Sequence, residues 1–411
     1  MQCVTDKWWL SVQNDFFSFL NELDSEGLFR FEAAVPIGEG LDWLAGQSFG
    51  PKLYWRDRFQ YEEVAAVGVA DFFESVWISE LEIARIQERL LMAPGARYWG
   101  GFRFDEHVEP DSIWSDFGAG QLILPLFEWI RQGDERRLAV NVWIAPNEAV
   151  SDRVEAIKIA FKQLNMMPKS IGVGCYDGVE RQDTPSYEDW IRQVEALTQL
   201  MTTEGLEKAV LSRQSTFRFS DRLCPFEILK RIQSADPHSY VFLYQPQPHI
   251  CFLSGTPERL YFRDGRTVFS EALAGTVPRG ETPEQDMELE NVLRCSPHYQ
   301  EEHQYVVEMV RQQLQRVCNQ LSMGSKTTIK KLPLIQHLLV ECQGVLSDSI
   351  NDHDLLKILH PTPAVAGTPT QSALNIIGQF ESHDRGWYAG PVGYIGLDRS
   401  EFIVAIRSGI V

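Results

Sequence analysis

The chain has 411 residues, 44% hydrophobic and 23% charged, an ordinary globular composition with enough length for a large core and, on length alone, for two or three domains. A formal net charge of -19 argues against a nucleic-acid partner or an anionic membrane, though not against an anionic small molecule held by local cations. The seven scattered cysteines show no Cys-x-x-Cys spacing, no apolar run reaches membrane-spanning length, and Met1 to Lys7 has no signal-peptide core, so reduced thiols, no membrane insertion and a cytoplasmic location are expected.

In the first portion, to about Pro168, Val64 to Phe73, Tyr98 to Phe104 and Gln121 to Ile144 read as strands, the last folded back at Gln132-Gly133-Asp134. Arg153 to Leu164 has helical spacing at Val154, Ile157 and Phe161. No chemical motif stands out here, and the tryptophans read as core and lid packing rather than as a cofactor box. Gly172-Val173-Gly174 is followed by Gly178, one residue too late for the dinucleotide fingerprint, and lacks its strand-then-helix context.

A helix is predicted from Ser186, with Asp189 at capping-box spacing, burying Trp190, Val194, Leu197 and Met201 and ending at Gly205. Lys208 then opens a strand. Tyr240 to Tyr244 and Ile250 to Leu253 follow, and then a hairpin at Asp264-Gly265 between Arg259 to Arg263 and Arg266 to Ala272. This run of hairpins predicts antiparallel sheet with helices segregated outside, an α/β protein of the α+β type rather than a βαβ nucleotide fold.

Lys208 in Glu207-Lys208-Ala209-Val210-Leu211-Ser212-Arg213 and Glu258 in Gly255-Thr256-Pro257-Glu258-Arg259-Leu260 sit at the edges of apolar strand patterns. A glycine turn follows in Glu271-Ala272-Leu273-Ala274-Gly275-Thr276. A charged side chain there must be paired, solvated in a cleft, or shifted in pKa. That is what an acid and a base need to work near neutral pH.

A helix from Tyr299 to Cys318 carries the apolar stripe Val306, Val307, Val310, Leu314 and Val317. His303 falls at the centre of that stripe, Glu302 at its margin, and Glu301 on the opposite, solvated face. An inward Glu302 needs a cation or a hydrogen-bond donor, and a structural salt bridge would meet that need. Ile335 to Leu339 is a strand containing His337, and a short helix ends at His360. Thr368-Pro369 reads as a cap followed by proline opening another helix. Two strands finish the chain, Trp387 to Leu397 and Glu401 to Val411. Gly390, Gly393 and Gly396 in the first suggest close approach of a ligand or of another backbone. Arg407, inside the second, is either a carboxylate clamp or one half of a structural ion pair.

From Ser186 onward these segments resemble the chorismate-utilising enzymes, and within them the isochorismate synthases of the menaquinone pathway. The likeness rests on the three runs around Lys208, Glu258 and Gly275, on Glu302-His303, and on His360-Pro361-Thr362-Pro363-Ala364-Val365-Ala366-Gly367. It extends through Trp387-Tyr388-Ala389-Gly390-Pro391-Val392-Gly393 and Glu401-Phe402-Ile403-Val404-Ala405-Ile406-Arg407-Ser408.

The resemblance implies an anthranilate-synthase-like chorismate-binding fold, with large antiparallel sheets as the central core. It implies that Lys208 takes a proton from water attacking ring C2 of chorismate, and that Glu258 protonates the hydroxyl leaving C4. Magnesium (Mg²⁺) would hold the ring carboxylate with Glu302 as a ligand, while Gly275, Thr276, His337, Ala364, Tyr388 and Arg407 would bind substrate. Relatives that use ammonia usually have Gln at the position of Lys208 and Thr at that of Ala364, and aminodeoxychorismate-forming relatives have Lys at that of Ala274. Water is therefore the expected nucleophile, and no glutaminase partner is expected. Salicylate-forming relatives share Lys208 and Glu258 and remain a second reading, as do an aminating chorismate enzyme and an inactive chorismate-binding relative lacking the C-terminal metal helix.

Two departures stand out. The family's Lys-Asp before the metal helix is replaced within Ser296-Pro297-His298-Tyr299-Gln300-Glu301. The family pattern also runs on past Arg407-Ser408 into a further strand and a helix with a second metal carboxylate. The region 169–411 is thus expected to be a catalytic region cut short at its C-terminal end, with an unpaired apolar edge there and a weakened metal site. Residues 1–168 are expected to extend the same sheets, the whole forming one continuous domain.

Overall fold

The computed structural model describes residues 2–36, 38–75, 79–166, 170–172, 174, 176 and 178–411, with backbone alone at 2–6, 75 and 202–204. Pro168, the expected regional boundary, and Val173 of the glycine run lie outside the described residues. Among the described residues the architecture is one 16-stranded sheet, two two-stranded ladders, and helices. The pairings are antiparallel throughout, as the succession of hairpin signals predicts.

The order of strands across the large sheet decides how the chain is organised. Cys318–Met323, Ile335–Leu346, Thr267–Pro278, Arg259–Asp264, Arg399–Val404 and Pro391–Gly396 lie side by side from one end. Next come four strands from early in the chain, Arg97–Phe102, Gly120–Gln132, Glu62–Ser75 and Lys52–Arg56. The sheet then returns to late residues with Tyr240–Gln247, Ile250–Thr256 and Ser408–Ile410. The early strands are therefore enclosed between two groups of later ones, with Gly393 paired to Gly100 and Leu243 to Tyr54.

Both faces of the central strands are buried, and their side chains alternate between two cores. Tyr54, Ala65, Val67 and Tyr98 face a large core shared with Phe16, Ile86, Phe161, Leu229, Val310 and Leu355 from the surrounding helices. Leu53, Trp55, Val64, Ala66 and Trp99 face a second core built mainly from strands, with Tyr240, Phe252 and Tyr394. The Trp55 and Trp99 rings lie 5.8 Å apart although two strands separate theirs. A flat sheet would hold them about 14 Å apart, so the sheet curls over this aromatic cluster.

Local signals account for most element boundaries. Ser186 caps Tyr187–Glu204 through the Asp189 amide, and Gly205 closes the helix in the left-handed conformation. Its stripe is narrower than predicted: Leu197 is buried, but Val194 is 39% exposed. Pro297 in the first turn opens the helix Pro297–Val317 directly after Pro283–Cys295, with Ser296 between them. His303 is buried and its Nε2 donates to Ala272 O (3.1 Å), while Glu301 is exposed, as the helical spacing requires.

Two expectations need correction. Thr368 does not cap a helix; it pairs with Lys208, and the helix Thr370–Phe380 starts after Pro369, which offers no side-chain acceptor. The segment Glu401 to Val411 is two strands, Arg399–Val404 and Ser408–Ile410, separated by a turn at Arg407 with φ +50°. Arg399–Val404 is bonded on both edges, to Arg259–Asp264 and Pro391–Gly396. At the late glycines the close neighbour is backbone, one of the two alternatives expected: an added Cβ would stand 2.2 Å from Phe102 O at Gly390 and 1.9 Å from Glu401 O at Gly393. The helices Gln2–Asn21, Glu80–Met92 and Pro225–Ala235 were not foreseen.

Candidate active site

Lys208 begins the strand Lys208–Ala209, which pairs with Gly367–Thr368. Gly367 has φ +141°, and an added Cβ would stand 2.1 Å from Lys208 O, so only glycine lets this ladder close. The Lys208 ammonium donates to Pro363 O at 2.6 Å. It stands 3.7 Å from Glu302 Oε1, an ion pair too long for a hydrogen bond. With 13% of the side chain exposed, burial lowers the lysine pKa against the opposing charges of Glu302 and Glu258.

Glu258 follows the strand Ile250–Thr256. Its amide donates to Thr256 Oγ1 at 3.2 Å, and its carbonyl accepts from Val404 N at 3.1 Å. The Thr362 hydroxyl donates to its carboxyl at 3.4 Å. Burial pushes the Glu258 pKa up to about 7, opposed by the Thr362 hydrogen bond and the charge of Lys208. Adjacent residues of one loop therefore touch both groups, Thr362 the acid and Pro363 the base. A carboxyl of raised pKa and an amine of lowered pKa are brought to one place.

Gly275, at φ +67°, is the bulged residue between Ala274↔Leu338 and Thr276↔His337. The bulge turns Thr276 toward His337, and Thr276 Oγ1 lies 2.9 Å from Nδ1. Burial, with the nearby charge of Arg407, lowers the His337 pKa to about 4, so the imidazole is neutral at pH 7. Its Nε2 is buried without a hydrogen-bond partner. Which nitrogen carries the proton follows from the tautomer, and Nε2 is the one left open toward a ligand. Arg407 is not inside a strand: it sits exposed on the turn, 3.1 Å from Asp236. Ala364 follows Pro363 and is half-buried. Tyr388 is half-buried too, its amide bonded to Arg385 O, and no contact places it on Lys208 or Glu258.

Glu302 offers one carboxylate, and among the described residues no three His, Cys, Asp or Glu side chains converge as a metal cage. A single carboxylate suits magnesium, which keeps several waters and takes one or two carboxylates beside an anionic substrate. It does not suit zinc or a closed calcium site. A cavity of about 830 Å³ lined by Lys52, Phe226 and Gln245 lies elsewhere, and none of the candidate catalytic residues borders it.

Several supporting residues escaped the sequence reading. Arg385 donates to Val210 O (2.7 Å) and Val365 O (2.9 Å), tying together the two chain segments that form the Lys208 ladder. It pairs with Glu381 and stacks over Phe104 from the early region. Arg58 and Lys330 both reach Pro257 O, beside Glu258. No spacing marks Arg385; for Arg58 the one available signal is a charge just beyond the apolar run Leu53 to Trp55.

A family model of chorismate binding enzymes matches residues 17–411. The chain belongs to the chorismate-binding enzyme family. This chorismate-binding enzyme is 32% identical over 359 residues to isochorismate synthase 2, chloroplastic, of Arabidopsis thaliana, covering 85% of this chain and 63% of that protein. It is 33% identical over 399 residues to the isochorismate synthase MenF of Bacillus subtilis, covering 91% of this chain and 84% of that one. The solved structure of MenF, the menaquinone-specific isochorismate synthase from Escherichia coli, superposes with a TM-score of 0.87 at 26% identity, covering 98% of this chain and 90% of that chain.

Proposed function

We propose that this protein is an isochorismate synthase, an isomerase that converts chorismate to isochorismate. The observation that carries the proposal is the Thr362-Pro363 contact, which holds a buried carboxyl of raised pKa and a buried amine of lowered pKa together. Neutral Lys208 accepts a proton from water as its oxygen bonds to ring C2. The ring double bonds shift, the C4–O bond breaks, and the hydroxyl leaves as water with the proton of Glu258. Return of a proton from Lys208 to Glu258 restores both groups. Water enters and water leaves, so the net change is an isomerisation.

In the tautomer protonated at Nε2, His337 offers a neutral donor to the substrate carboxylates and Arg407 offers a cation, while Gly275 and Ala364 leave room for the ring. Tyr388 is proposed as a further wall of the substrate site. Magnesium held at Glu302 would neutralise a substrate carboxylate, and this chain's own part is to present that one carboxylate beside Lys208. The resemblance to menaquinone-pathway enzymes supports a role in supplying menaquinone or phylloquinone synthesis. Free thiols at Cys224, Cys251, Cys295, Cys318 and Cys342 suit a reducing cytoplasm. Among the described residues no helix is long and apolar enough to cross a membrane. We further infer that residues 1–168 and 169–411 fold as one unit, supported by the enclosed early strands.

The test is chorismate incubated with the protein across a magnesium titration, with the products resolved by chromatography. Isochorismate is expected, formed only with the metal and approached from either side of the equilibrium. Salicylate as the product would favour the salicylate-forming alternative. No conversion at any magnesium concentration would overturn the assignment.

A further inference from the structure

The peptide just before the proton donor is gripped by two cations from distant parts of the chain. Lys330, on the strand Thr328–Lys331, donates to Pro257 O at 2.9 Å. Arg58, from the early region, donates to the same oxygen at 3.3 Å. Both also engage Glu271. Arg58 holds it through two hydrogen bonds, one of 2.7 Å to Oε2 and a shorter one to Oε1, and Lys330 Nζ stands 3.6 Å from Oε2. Arg259 approaches Glu271 at 3.6 Å and is itself bound to Glu401 at 2.9 Å. One buried carboxylate thus faces three cations, and two of them aim at a single carbonyl.

Burying cations is costly, and apolar replacements of such clusters are often neutral or stabilising. A neutral side chain would satisfy Pro257 O equally well. The proline ring already fixes φ at residue 257, and anchoring its carbonyl fixes the other backbone rotation, so the start of Glu258 is set on both counts. We propose that Lys330 and Arg58 are positioning residues for the proton donor, holding the Pro257 carbonyl so that the Glu258 carboxyl stands against Thr362. This inference rests on the isochorismate synthase reading and adds two residues to it.

The same geometry gives Lys330 an electrostatic effect. Glu258 faces Lys208 on one side and Glu271 with Lys330 on the other, with Arg58 and Arg259 grouped around Glu271. A cation there favours the ionised carboxylate and so eases departure of its proton. Burial lowers the Lys330 pKa itself to about 8, against the charge of Glu271.

The experiment compares Lys330→Met, Lys330→Gln and Lys330→Arg in the full chain, reading kcat/KM against pH. Loss of the charge in Lys330→Met and Lys330→Gln is expected to move the alkaline limb upward by about 0.5–1 pH unit. Turnover should fall roughly 10-fold in Lys330→Met with KM for chorismate little changed, and Lys330→Arg should restore the parent profile. Lys330→Gln keeps a donor for Pro257 O and guards against misfolding of the methionine variant. An alkaline limb at its parent position in both uncharged variants would overturn the proposal, since a merely structural lysine would lower activity without moving it.

A second reading needs no turnover: the pH at which the rise in melting temperature given by Glu258→Gln levels off, which is set by the folded-state pKa of Glu258, should also move upward when Lys330 is replaced. If the parent protein leaves chorismate unchanged, the functional assignment fails, and this melting series alone decides the role of Lys330.

Discussion

The residues proposed as proton donor and proton acceptor are held in contrasting ways. Glu258 lies deep, between a threonine hydroxyl and a cluster of charges contributed by residues 58, 259, 271 and 330. Lys208 sits on a ladder only two residues long, steadied by one loop carbonyl and by Arg385 across both segments. The acid is fixed by electrostatics and the base by backbone fit. Each arrangement shifts its group toward the uncharged form, because burial dominates in both.

The largest expected effect tests the two ends together. Lys208→Ala and Glu258→Gln should each lower kcat by about 10²–10⁴ with modest change in KM, measured as the rate of isochorismate formation. Parent turnover in either variant would remove that residue from the chemistry. The backbone fit of the base is probed by Gly367→Ala, where both the φ angle and the Lys208 carbonyl oppose a side chain. A loss of about 2–4 kcal/mol in stability is expected, with a matching loss of activity, against roughly 1 kcal/mol for Gly265→Ala, which has open space around its Cβ position. Equal melting temperatures for the two variants would mean the ladder tolerates displacement.

Stability against pH should separate acid from base by sign. The Glu258 pKa is raised in the folded protein, so its folded-state advantage is present below about pH 4.5 and lost as pH rises through about 7. Glu258→Gln should therefore stabilise the protein above pH 7, by on the order of 1–3 kcal/mol, and not at pH 4. Lys208 has a lowered pKa, so Lys208→Met should give a gain that grows as pH falls. Melting temperatures across pH 5–9 check both, and parallel curves would contradict the contrast. The smallest effect is the parent pH profile: activity should decline as pH rises through about 7, where Glu258 loses its proton.

The chemistry was more legible in the sequence than its support. Lys208, Glu258 and His303 announce themselves as polar residues inside apolar patterns of definite period, and the Asp264-Gly265 hairpin and the Ser186 cap follow from local turn and helix chemistry. Arg58, Lys330 and Arg385 carry no such mark, because their partners are backbone carbonyls far along the chain and a carbonyl has no identity in a sequence. The same limit explains the error at Arg407. An apolar run ending in arginine reads as one strand, and only tertiary pairing shows that the chain turns there and changes neighbours. The final glycines were ambiguous for a related reason, since ligand and backbone leave the same vacancy.

The order of the strands also carries a consequence for how the chain acquires its shape. Tyr98 to Gly101 find one partner only when Val392 to Ile395 have been synthesised, and Lys52 to Arg56 wait for Val241 to Gln245. Contacts so distant in sequence make for slow folding and for a nascent chain that shows open strand edges to the ribosome's surroundings. Such a chain is a natural client for chaperones that shield unpaired strands, and its yield on dilution from denaturant should fall steeply with protein concentration.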